Sequence, residues 1–104
     1  MVQRWTDVQF EFVSLAGDTY AYSGTVIARD EEMVLELECP GERPYLICGQ
    51  AIGEFFRGAH QGLPDDVPVT AKWIRLDDIY IGMWIEEGID YVFIFRLPVA
   101  VEGG

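Results

Sequence analysis

The stretch Gln50-Ala51-Ile52-Gly53-Glu54-Phe55-Phe56-Arg57-Gly58-Ala59-His60-Gln61 decides the fold. Its apolar residues Ile52, Phe55, Phe56 and Ala59 fall at i, i+3, i+4 and i+7, the spacing of one face of an α-helix. Gly62 and Pro64 follow, a helix stop signal. Against this, Gly53 and Gly58 are poor helix formers, and a competing reading divides the same residues into two short strands. The periodicity favours the helix. On that reading the chain is an α+β domain: an antiparallel sheet of about seven strands, with one helix near 50–61 packed on one face. The strand reading is the alternative, and it closes an eight-stranded up-and-down β-barrel.

Outward from this stretch the pattern is of strands in both directions. Alternating or continuously apolar runs occur near 8–15, 19–29, 33–39 and 44–49 before it, and near 67–76, 79–86 and 89–97 after it. The connectors are short and of turn composition: Gly17-Asp18, Asp30-Glu31-Glu32, Pro40-Gly41-Glu42-Arg43-Pro44, Asp77-Asp78 and Glu86-Glu87-Gly88. No linker, repeat or low-complexity tract interrupts them, so residues 1–104 read as a single domain. Half of the residues are hydrophobic, and six Phe, five Tyr and three Trp supply enough apolar area for one core.

The chain carries 18 carboxylates against seven Lys and Arg, a formal net charge of -11. The cations are dispersed, so nucleic acid and anionic membranes are not expected partners; basic proteins and cationic ligands are. Met1 to Asp7 has no secretory-signal character, and no run is long and apolar enough to span a membrane, which points to the cytoplasm. Cys39 and Cys48 flank a tight hairpin in offset positions, so they are expected to stay reduced thiols.

Signatures of chemistry are sparse. His60 is the only histidine, and histidine is the side chain whose ordinary titration lies nearest neutrality. On a helical wheel it shares a flank with Gly49 and Gly53, where missing side chains would admit a ligand. An enzyme built on His60 would draw first on Glu54, Tyr80 and Glu86. The pairs Asp65-Asp66, Asp77-Asp78 and Glu86-Glu87 fall where turns should be, and one His with two Cys lacks zinc-site spacing, so no metal or cofactor is expected. No nucleophile elbow, phosphate loop or dinucleotide fingerprint is present.

The richest segment is Asp77 to Leu97. With Glu86-Glu87-Gly88 read as a three-residue loop, Ile79, Ile81, Met83, Ile85, Ile89, Tyr91, Phe93, Phe95 and Leu97 share one face, the core. The other face then carries Tyr80, Gly82, Trp84, Val92 and Ile94, with Asp78 opposite Arg96. That second face is too apolar for full solvation. The expectation is therefore a small non-catalytic binding module, homodimeric, with an apolar, aromatic-lined cleft or surface at Tyr80, Gly82, Trp84, Val92, Ile94, Gly49, Gly53 and His60. Its ligand would be small and apolar or cationic. The rival is an acidic immunity-type or inhibitor protein that binds a basic macromolecule. The tail Arg96 to Gly104 resembles the end of sulfur-carrier proteins of the ubiquitin-like β-grasp class, which finish in Gly-Gly; that resemblance implies adenylation of the C-terminus.

Overall fold

The computed structural model describes residues 2–39, 41, 43–61 and 68–97. They form eight strands: β1 (Val2–Ser14), β2 (Thr19–Arg29), β3 (Glu32–Leu37), β4 (Tyr45–Ile52), β5 (Phe55–His60), β6 (Val69–Leu76), β7 (Ile79–Glu86) and β8 (Ile89–Arg96). Each pairs antiparallel with the next, and β1 pairs with β8 through Phe10↔Phe95 and Phe12↔Phe93, so the sheet closes into a barrel. No helix occurs among the described residues. The helix over 50–61, and with it the α+β class, is overturned in favour of the eight-stranded up-and-down barrel.

The reason lies in the hairpin at Gly53-Glu54. Ile52 pairs with Phe55, and Gly53 takes a φ of +63°, a left-handed value that glycine adopts at no steric cost and that suits the first central position of a two-residue hairpin. Residues flanking such a turn are three apart in sequence and adjacent in space, so Ile52 and Phe55 reproduce a helical spacing without a helix. Beyond the turn, Phe56 faces inward and stacks on Trp73, with ring centroids 5.8 Å apart, while Phe55 lies outside under the Lys72 ammonium. Ile52 is 46% exposed. The helical face is thus split between the two sides of the wall.

A second difference concerns the β7–β8 turn. Glu86 pairs with Ile89, leaving only Glu87 and Gly88 in the loop, both with positive φ (52° and 77°), as a type I′ hairpin requires. Because side chains alternate along a strand, removing one residue from the loop reverses every side chain of one strand relative to the other. Tyr80, Gly82, Trp84 and Glu86 of β7 therefore point inward with Tyr91, Phe93 and Phe95 of β8. Ile79, Ile81, Met83 and Ile85 do not join the core face expected of them. The ion pair between Arg96 and Asp78 does form, at 3.3 Å.

Strand β1 also begins earlier than the alternation near 8–15 suggests. Its pairing with β2 shifts between Trp5 and Val8, where Asp7 adopts a φ of 57°, and this bulge carries the strand back to Val2.

The barrel interior is filled by its own side chains, as an eight-stranded barrel is narrow enough to be. Trp73, Phe10, Phe93, Phe95, Leu35 and Ile47 are fully buried. Trp73 lies across the middle, its indole N–H donating to Met33 Sδ at 3.3 Å. Its ring occupies the space that any Cβ at Gly49 would need, so Gly49 is what lets the indole cross the barrel. Outward positions mix charge with apolar groups: Glu11, Glu36, Arg57 and Lys72 alternate with the buried residues of their strands. No helix is long and apolar enough to cross a membrane. Cys39 and Cys48 are not joined in a disulfide; Cys48 lies opposite Val34, well short of Cys39 in the pairing of β3 with β4.

Candidate functional site

One end of the barrel is set apart by its rings. The end of β1, the start of β2, the start of β4, the end of β7 and the start of β8 bring Phe12, Tyr20, Tyr22, Tyr45, Trp84 and Tyr91 around a cleft of about 170 Å3. Leu37 closes part of its floor and Glu86 stands in its wall. Four of the chain's five tyrosines are gathered here. Neighbouring rings stand close to perpendicular: Phe12 against Trp84 at 80° and 5.0 Å, Tyr45 against Trp84 at 85° and 5.6 Å, and Tyr20 against Tyr91 at 75° and 6.1 Å. Edge-to-face pairs of this kind are favourable in themselves, and they make adjacent walls of a box.

Among the described residues Glu86 is the one carboxylate lining the cleft, and its position is fixed from both sides. The Tyr45 hydroxyl donates to Oε2 at 2.9 Å and the Trp84 indole N–H donates to Oε1 at 3.0 Å. Each oxygen keeps a further lone pair for another partner. Trp84 is 2% exposed, so the indole is held by packing as well as by this bond. Burial pushes the Tyr22 phenol above its ordinary value, and the negative neighbours Cys39 and Glu86 add to the effect. Tyr91 is raised by desolvation first and Glu86 next. Both phenols are therefore neutral hydroxyls at physiological pH.

His60 sits beside this end. Its Nδ1 accepts from the Leu46 backbone N–H at 3.0 Å, and its ring meets Tyr45 edge-on at 5.4 Å. This places the histidine at the end of the β4–β5 ladder, where it supports the Tyr45 wall.

The residues singled out from sequence are dispersed by the fold. Trp84 and His60 come to the cleft end through Tyr45. Gly82 and Gly49 lie deeper, in the strands beneath Trp73, and Tyr80 stacks on Phe95 at 5.0 Å further along. Gly53 and Glu54 form a turn at the opposite end. Val92 and Ile94 are on the outer wall, where Met83, Val92 and Val13 are successive neighbours across β7, β8 and β1. Trp84 is not on that outer face. Tyr20, Tyr22, Tyr45 and Tyr91 were not legible as a group, because only closure of the sheet juxtaposes three strands so distant in sequence. The tail 98–104 lies outside the described residues, and the barrel has neither the helix nor the open sheet of the β-grasp class.

Broader depressions occur on the outer wall, up to about 510 Å3 beside the β1 bulge at Arg4 to Gln9. None of those described brings together more than two rings. Among the described residues no group of three or more His, Cys, Asp or Glu could hold a metal ion. No family model, curated protein or solved structure matches the chain.

Proposed function

We propose that the protein is a non-catalytic binding module that takes a small organic ligand in the aromatic end of the barrel. The observation that carries this reading is the box of six rings with one carboxylate fixed in its wall by Tyr45 and Trp84. Small-molecule sites combine aromatic walls with a few well-oriented polar groups, and small closed barrels hold ligands in this way. The cleft is comparable with the roughly 150 Å3 cavity that accepts one benzene-sized guest. Titration of the 15N-labelled protein with phenol should move amide resonances at Phe12, Tyr22, Tyr45, Trp84 and Tyr91. Shifts confined to the outer wall, or none, would contradict the reading.

Self-association is a second reading, favoured by one observation. Met83 (40% exposed), Val92 and Val13 form an apolar strip on the outer wall, adjoined by Ile74 and Ile85. Light scattering against concentration, with Met83→Glu as control, tests it; a wild type that stays monomeric removes it. A reducing, cytoplasmic location is supported by the two cysteines not being joined in a disulfide, and alkylation before cell lysis should trap both Cys39 and Cys48 as thiols.

A further inference from the structure

We propose that the ligand of the aromatic cleft is an organic cation whose charge is spread over methyl groups, a quaternary or methylated ammonium; this rests on the reading of that end as a ligand site. Three observations converge on it. Aromatic faces present negative quadrupole potential to a cation, and rings set as perpendicular walls can surround one on several sides at once. At the cleft Tyr20 and Tyr91 stand at 75° to each other and Tyr45 at 85° to Trp84, while Phe12 and Trp84, 4% and 2% exposed, back these walls from the core. Within the same cleft Glu86 supplies a full negative charge, and among the described residues no Lys or Arg lines it.

The hydrogen-bonding state of the carboxylate selects among cations. Tyr45 and Trp84 already donate to its two oxygens. The remaining lone pairs of Glu86, one on each oxygen, leave one of a primary ammonium's three N–H groups to find another acceptor, whereas a quaternary ammonium has none to satisfy and gains from ring contact alone. A cleft of about 170 Å3 fits a trimethylammonium-sized group. The net charge of -11 raises the local concentration of any cation around the molecule.

The test compares two probes of the same shape and different charge by calorimetry: choline, and 3,3-dimethyl-1-butanol, in which a carbon replaces the nitrogen. Choline should bind more tightly by about tenfold or more. Glu86→Gln should abolish most of that difference. Tyr20→Ala removes a rim ring that is 44% exposed and outside the core, so it should weaken choline several-fold in a protein that still folds. Equal affinity for the two probes overturns the cation assignment and leaves the binding-module reading standing. Choline binding indifferent to both substitutions places it elsewhere and overturns the assignment too. Failure of choline to bind, with phenol still moving the cleft resonances, has the same consequence.

Discussion

Trp84 joins the two roles that the interior of this barrel performs. Its ring packs against Phe12 and Phe93, and its N–H orients Glu86 in the cleft wall. Trp84→Ala should therefore cost about 3 to 5 kcal/mol of folding stability, read from urea unfolding, and also release Glu86. A loss under about 1 kcal/mol would place the indole outside the core. The tyrosines give a second residue-scale expectation. Tyr80 is raised by burial against the opposing pull of Arg75, and Tyr22 is raised by burial and by its negative neighbours. Each phenol thus stays protonated in the fold at a pH where the unfolded chain, at the ordinary value of 10.0, has begun to ionise. Stability should hold below that value and fall as pH rises through it. Unfolding midpoints followed from about pH 8 to 11 should show the decline, and Tyr80→Phe should flatten it. A flat wild-type profile would contradict the burial of these hydroxyls.

Strand β5 carries the difference between the helical periodicity and the barrel. Phe56 stacks on Trp73 inside, whereas Phe55 lies outside beneath Lys72. Phe56→Ala should cost about 3 kcal/mol, and Phe55→Ala about 1 kcal/mol, the scale of an exposed cation–π contact and some lost packing. Equal, large losses would restore the helix, since its apolar face would bury both. Most other strands were legible from alternation, because each has one face in the core: Val8, Phe10 and Phe12 in β1, or Leu35 and Leu37 in β3. What was not legible came from turns. Ile52 and Phe55 mimic a helical step across a two-residue hairpin, and Glu87, a residue that seldom takes positive φ, hid the I′ turn beside Gly88. One residue of misplaced loop then sent Trp84 and Glu86 to the wrong side of the sheet, and the candidate site with them. Tyr80, Gly82 and Trp84 were recognisable as a group on one face; that this face was the interior was not.

For the molecule as a whole, closure is what turns separate strands into a site. Pairing of β1 with β8 places Phe12 against Phe93 and brings Tyr91 over Ser14, so the rings of β1, β2, β4, β7 and β8 share one cleft. An open sheet, or one covered by a helix, would leave those rings apart. Closure also explains why an acidic chain needs no buried charge: apart from Glu86 in the cleft, the charges lie on the outer wall and turns, and no charged residue is fully buried among the described residues. Nuclear Overhauser contacts between backbone protons across Phe12↔Phe93 and Gly49↔Gly58 test closure and the nature of the 50–61 stretch together. The barrel predicts both sets of cross-strand contacts. Helical contacts between residues three apart over 52–59, with none between β1 and β8, would contradict it.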